Sequence, residues 1–167
     1  MNHLEKIIKT KIPLIDLRAP IEFEKGTFPT SVNIPILSNE QRVKVGIKYK
    51  HEGNKAAEEL GFNLVKDERD IKVKLWKQFI EKNPESLIYC MRGGRRSQIA
   101  KSWLKSEKID IPLIKGGYKA LRNTTIELLN SVNNDKKKWI ILAGRTGSGK
   151  TTILNKFNST IDLEKHA

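Results

Sequence analysis

The chain's only cysteine closes a short apolar run, Ser86-Leu87-Ile88-Tyr89-Cys90, and Met91-Arg92-Gly93-Gly94-Arg95-Arg96-Ser97 follows at once. A brief apolar run bounded by glycines reads as a buried strand. The residues after the loop carry helical spacing from about Ser97 to Glu107. Ile99, Ala100, Trp103 and Leu104 lie on one side, and Lys101, Lys105 and Lys108 on another. A strand, a glycine-rich loop and a helix in that order form the unit of a mainly parallel α/β sheet. The rest of the chain agrees with that class.

Ile12 to Leu17 reads as a buried strand. Ala19 to Lys25 suits a short helix stopped by Gly26, and Ser31 to Pro35 reads as a second strand. Residues 39–83 are helical in pattern, with breaks expected at Gly46, Gly53 and Gly61. Ile71, Leu75, Phe79 and Ile80 are expected to form one apolar face. Ile111 to Ile114 reads as a further strand, followed by Gly116-Gly117 and a helix to about Leu129. The expected organisation is a first domain over 1–130, a polar linker over 131–138, and a second, incomplete domain over 139–167.

Cys90 is placed where chemistry is easy to build. Two glycines let the loop wrap the sulfur and aim backbone N–H groups at it. The helix start near Ser97 adds a positive dipole end, and Arg92, Arg95 and Arg96 add full charges. Such surroundings favour an anion at the sulfur and make the cysteine a candidate nucleophile. The same cradle, Arg92 to Ser97, suits a persulfide, a selenide or a phosphate-like oxyanion. A single cysteine excludes an internal disulfide and a cysteine metal cluster, and His3, His51 and His166 show no ligand spacing.

A second motif begins beyond the linker. Trp139-Ile140-Ile141-Leu142-Ala143 reads as a strand that enters Gly144-Arg145-Thr146-Gly147-Ser148-Gly149-Lys150-Thr151, a full G-x-x-x-x-G-K-S/T pattern. Backbone N–H groups from Gly147 to Lys150 are suited to a diphosphate. Lys150 would neutralise its charge, and the Thr151 hydroxyl is a possible Mg²⁺ ligand. Only 16 residues follow Thr151, too few for a second strand bearing a Walker B acid. The expectation is a strand-loop-helix fragment of a P-loop domain.

Several of these segments are those of a known family. Pro13-Leu14-Ile15-Asp16-Leu17-Arg18-Ala19-Pro20-Ile21-Glu22-Phe23, then Gly26-Thr27-Phe28-Pro29, Val32-Asn33-Ile34-Pro35 and Gly116-Gly117-Tyr118 resemble rhodanese-like domains. The stretch Asn39 to Lys50, continuing to Gly53, Ala57, Leu60 and Gly61, is similar to the bacterial tRNA 2-selenouridine synthase family. The cysteine loop and the nearby Walker A motif are similar to it as well.

The resemblance implies a rhodanese-like fold and a transferase that replaces sulfur by selenium at a wobble 2-thiouridine of tRNA. Its implied substrates are selenophosphate and geranyl diphosphate, with no tightly bound cofactor. It makes Cys90 the nucleophile, with Gly93, Gly94 and Arg96 as its anion cradle. Asp16 and Arg18 are expected to brace the fold.

The net charge of +13 suits a polyanionic partner. With the resemblance, tRNA is the expected partner, and an enzyme that supplies selenophosphate is a second. No apolar run approaches a membrane span and no leader is recognisable, so the expected compartment is the cytoplasm. The oligomeric state is left open. So are three other functions: a plain sulfurtransferase carrying a Cys90 persulfide, a chain that binds tRNA without catalysis, and a cysteine phosphatase. The last has the right C-x5-R spacing from Cys90 to Arg96, but Tyr89 stands where such enzymes usually place histidine.

Overall fold

The computed structural model describes residues 2–132 and 138–166, without the side chain of His166. The chain divides into two compact units, residues 1–132 and 133–167. Residues 133–137 of the expected linker fall outside the described part.

The first unit is built on a parallel sheet. Strands β1 (Leu14–Asp16), β2 (Ser31–Asn33) and β3 (Leu87–Tyr89) stand in the order β2-β1-β3. Asp16 sits opposite Asn33 on one side and Tyr89 on the other. Successive strand residues point to opposite faces, and the core divides accordingly. Ile15, Ile88 and Cys90 join a cluster with Trp76, Ala100, Trp103 and Leu104. Leu14, Leu87 and Tyr89 join a second cluster with Ile7, Ile114 and Leu121. Helices thus cover both faces, as a parallel sheet requires.

Helices α1 (His3–Thr10) and α6 (Gly117–Ser131) supply the second cluster. The first is covered from α3 (Asn39–Val65), α4 (Arg69–Lys82) and α5 (Arg95–Ser106). A short helix, α2 (Pro20–Glu24), links β1 to β2. The sequence reading did not assign α1. Its start is nonetheless encoded as a capping box: Asn2 Oδ1 accepts from the Glu5 N–H, and Glu5 accepts in return from the Asn2 N–H.

Three other expectations need correction in this unit. Of the glycines expected to break residues 39–83, only Gly53 does so, with φ 82° and ψ −173°. Gly46 and Gly61 stay helical. The two arms of α3 fold back on each other at Gly53, because Gly61 packs beside Val45 and Gln41 Nε2 donates to the Leu64 carbonyl and to Glu68. The apolar face of α4 is also different. Ile71 and Leu75 are 67% and 47% exposed, whereas Val73 and Trp76 are buried and Phe79 and Ile80 pack against the core. Val73, Trp76 and Ile80 share the helical spacing that faces the sheet. The indole of Trp76 fixes that choice by donating to the Ile34 carbonyl at 3.0 Å and stacking on Trp103. Finally, Ile111–Ile114 forms only one isolated bridge, Leu113 to Ile88, since Pro112 has no N–H to extend a ladder.

In the second unit, residues 139–143 form no strand. Ile140 and Ile141 are among its most exposed side chains. A lone strand leaves its backbone groups unpaired and its faces wet, so the expected strand does not form here. Helices α7 (Lys150–Leu154) and α8 (Leu163–His166) follow. No described helix is long and apolar enough to cross a membrane.

Candidate functional site

Cys90 lies just past the end of β3, and the chain then turns through Met91–Gly94 into α5. The loop is held from below by the start of α6. Tyr118 N–H donates to the Cys90 carbonyl at 2.9 Å, and Lys119 N–H to that of Met91 at 3.0 Å. The fit demands two glycines. A Cβ on Gly117, where φ is +57°, would stand 2.1 Å from the Cys90 carbonyl oxygen. One on Gly93, where φ is +65°, would stand 2.8 Å from the Ile114 carbonyl oxygen. No side chain fits such gaps.

With these carbonyls turned to α6, the other side of the loop is rich in donors. Among the described residues, no backbone N–H from Met91 to Arg96 donates to a protein acceptor. Gly94 caps α5 without a side-chain hydrogen bond; in the first turn Ser97 N–H donates to the Gly94 carbonyl, and the Arg95 and Arg96 amides have no such acceptor. Ser97, fully buried in that first turn, has an Oγ with no partner. Buried polar atoms seldom stay unpaired. Free amides, a helix N-terminus and an orphan hydroxyl make an anion-binding lining. The Cys90 side chain is buried at 3% exposure, with Sγ 4.0 Å from the Gly94 carbonyl oxygen.

The arginines of the loop do not converge on the sulfur. Arg95 Nε meets Glu58 of α3 at 2.9 Å. Arg96 Nη1 meets Glu22 of α2 at 2.7 Å. Arg92 lies with Gly116, Lys119 and Asn123 at a shallow depression on the other flank. Cys90 and Gly94 therefore meet at the sulfur, while Arg95 and Arg96 are turned to the carboxylates of Glu58 and Glu22.

Glu22 was not singled out from the sequence. It is 8% exposed and gathers three partners: Arg96, the Arg42 Nε at 3.2 Å and the Ala19 N–H at 3.1 Å. The signal was an acid at the third residue of a short helix, the place of a capping carboxylate. Burial alone would raise its pKa. The hydrogen bond and charge of Arg96, with help from Ala19 and Arg42, outweigh burial and hold it below the usual 4.5. A carboxyl depressed in the folded state stabilises fully above its unfolded pKa and loses that contribution as pH falls through the folded one. Glu22→Gln is therefore expected to lower the urea midpoint near pH 7, with the gap from the parent closing as pH drops below 4.5. A gap that stays constant down to pH 3 would dismiss this ion cluster.

Asp16 and Arg18 form a buried brace. Arg18 donates from Nε and Nη2 to Asp16 at 2.6–3.0 Å and from Nη2 to the Gly26 carbonyl at 2.8 Å. Its guanidinium lies 3.7 Å from the centre of the Tyr118 ring. The Tyr89 hydroxyl donates to Asp16 at 2.8 Å. Burial, then the charge of Asp16, push the Tyr89 hydroxyl well above its ordinary pKa, so it stays a donor. Burial pulls the Arg18 pKa down, but the Asp16 hydrogen bond and charge more than offset it and the net direction is upward.

In the second unit the Walker A residues curl into a loop. Gly147 and Gly149 take φ near +80°, and Gly149 opens α7. The Lys150 ammonium donates to the carbonyls of Gly144 and Arg145 at 2.8 and 3.0 Å, and Ser148 N–H donates to Arg145. Thr151 is exposed. No group of three or more His, Cys, Asp or Glu side chains gathers for a metal among the described residues. A Mg²⁺ ion there would have to rest on Thr151 and on the phosphates it accompanies.

An open cavity of about 590 Å³ adjoins the cysteine loop, between the arms of α3 and the start of α5. Arg95 and Arg96 form one of its edges. The sequence reading did not foresee it, because it exists only through the fold-back at Gly53.

Comparison with known proteins matches these features. The rhodanese-like domain family covers residues 2–124. The tRNA 2-selenouridine synthase AAA domain family covers residues 137–167. Proteins named tRNA 2-selenouridine synthase are 48% identical in Sulfurovum sp. (strain NBC37-1) and 50% identical in Shewanella halifaxensis, each alignment spanning 98% of this chain and 45% of the relative. The one from Proteus mirabilis is 43% identical over 99% of this chain and 46% of its own length. The chain thus spans less than half the length of these curated relatives. A crystal structure of the N-terminal domain of a Clostridium difficile 630 protein, described as ATP/GTP binding, superposes with a TM-score of 0.65. It is 29% identical over 70% of this chain and 90% of that one. The chain belongs to the rhodanese-like domain family, and its residues 137–167 match the AAA domain of tRNA 2-selenouridine synthases.

Proposed function

We propose that this chain provides the chalcogen-handling domain of a tRNA 2-selenouridine synthase-type transferase. Cys90 is the nucleophile that takes part in replacing sulfur by selenium at a 2-thiouridine of tRNA. One observation carries the reading: among the described residues, the amides from Met91 to Arg96, which follow the chain's only cysteine, donate to no protein acceptor. The orphan Ser97 Oγ in the same lining adds a further donor. Amides without a protein acceptor can donate to a bound anionic chalcogen donor. Gly93 and Gly94 keep the loop tight, and the rim pair Arg95 and Arg96 draws in an anionic donor.

Selenophosphate is the proposed selenium donor, supplied by a separate enzyme, and tRNA the acceptor. The net charge of +13 suits that partner. Such a reaction belongs in the cytoplasm. Gly144, Gly147, Ser148, Gly149, Lys150 and Thr151 are proposed to hold the diphosphate of geranyl diphosphate, through amides and the Lys150 ammonium.

A plain sulfurtransferase is the second reading, favoured by the position of Cys90 within the rhodanese-like region alone. There the thiolate attacks the outer sulfur of thiosulfate, the S–S bond breaks, and sulfite leaves with the electron pair. The two readings separate in one experiment. The full chain is given selenophosphate, geranyl diphosphate and an RNA hairpin bearing 2-thiouridine, and the nucleosides are analysed by mass spectrometry. In parallel it is given thiosulfate and cyanide. Selenium in the RNA is the expected result. Thiocyanate production with no change in the RNA would replace the first reading by the second.

A further inference from the structure

We propose that the groove between the arms of α3 and the start of α5 receives one unstacked nucleotide of the RNA. The inference rests on the reading that RNA is the substrate, and names where the reacting base lies. The groove holds about 590 Å³, within the range of about 300–1,000 Å³ typical of small-ligand sites. Its walls are apolar, yet Val43, Ile47, Tyr49 and Phe62 are each roughly half exposed. Two of these are aromatic.

Charge favours a nucleotide over an apolar peptide. Arg42, Lys50, Arg95 and Arg96 line the groove, against Glu22 and Glu58. Glu22 is shared by Arg42 and Arg96, and Glu58 is taken by Arg95. The cations exceed the acids, and Lys50 stands exposed at the edge. An apolar floor with aromatic rings and a cationic lip fits a base that stacks and a phosphate that stays in water. Position gives the second argument. Arg95 and Arg96, at the start of the helix that the Cys90 loop enters, line this groove, so a base seated here lies near that loop. A base buried in an RNA stack is out of reach of any side chain, and an enzyme that alters it must draw it out and shelter it.

The test uses the full chain and two fluorescent RNAs, a hairpin with 2-thiouridine in its loop and a blunt duplex of similar length. Phe62→Ala and Tyr49→Ala are each expected to weaken hairpin binding about tenfold, as loss of one stacking platform does, and to leave duplex binding unchanged. Ile71→Ala, on the exposed side of α4 away from the groove, is expected to leave both unchanged. Near-ultraviolet circular dichroism from the stacked Trp76 and Trp103 reports that each variant is folded. Irradiation of the unaltered protein with the hairpin should attach the thiouridine to a peptide of α3. Unchanged hairpin affinity in both aromatic variants, or attachment only outside the groove, overturns the inference while RNA remains the partner. If neither RNA binds the unaltered protein even at low salt, the RNA reading falls and the groove inference with it.

Discussion

Cys90→Ser is expected to leave the fold intact and to reduce chalcogen transfer by at least about a thousandfold, as loss of a catalytic nucleophile does elsewhere. The fold should survive because the change is nearly isosteric. The serine side chain is slightly smaller than the thiol it replaces and fits the same buried space. The neighbours Ile15, Ile88 and Ala100 need no repacking. The chemistry should not survive. A serine hydroxyl is a weak nucleophile without a base beside it, and oxygen cannot carry a terminal sulfur or selenium as sulfur does. The measurement is the selenium content of the hairpin RNA, paired with thermal melting of the variant. Transfer that persists within about tenfold of the parent would remove Cys90 from the reaction.

Asp16→Ala is expected to cost about 3–5 kcal/mol of stability, the usual penalty for leaving a buried charge without its partner. Arg18 is 1% exposed and Asp16 fully buried. Asp16 accepts from the Arg18 side chain, the Arg18 N–H and the Tyr89 hydroxyl. Its removal strands all of them in the core of the sheet. Urea unfolding followed by tryptophan emission measures the loss, since Trp76 is buried and stacked on Trp103. The double variant Asp16→Ala, Arg18→Met should recover part of the loss, because no charge is then left unpaired. A single variant that loses less than about 1 kcal/mol would make the pair an exposed-type contact of little weight.

The sheet of the first unit was legible because its strands are short apolar runs with clear stops. Leu14 to Asp16 and Leu87 to Tyr89 needed nothing beyond local pattern. The loop around Cys90 was legible for the same reason, since glycines and a helix start carry their conformational meaning with them. What failed depends on distant partners. Gly46, Gly53 and Gly61 look alike in sequence, and only the packing of Gly61 on Val45 shows that the chain doubles back at Gly53. The apolar residues of α4 admit two stripes, and the bond from Trp76 to Ile34 chooses between them. The strand expected over 139–143 needs a neighbour to pair with, which no local pattern supplies. Glu22 was missed because its partners, Arg42 and Arg96, lie 20 and 74 residues away.

The doubled-back α3 has a consequence for how specificity can change. It leaves the sheet after β2, and α4 follows it before the chain returns at β3, so most of the groove wall is one excursion, anchored to the core through Val45, Leu64 and Val65. If the groove recognises the RNA as proposed, substitutions along Val43, Ile47 and Phe62, which are half exposed, change what it accepts without disturbing the strand that presents the sulfur. Exchanging residues 39–65 between relatives should therefore transplant selectivity as a cassette while the reacting atom stays where it is.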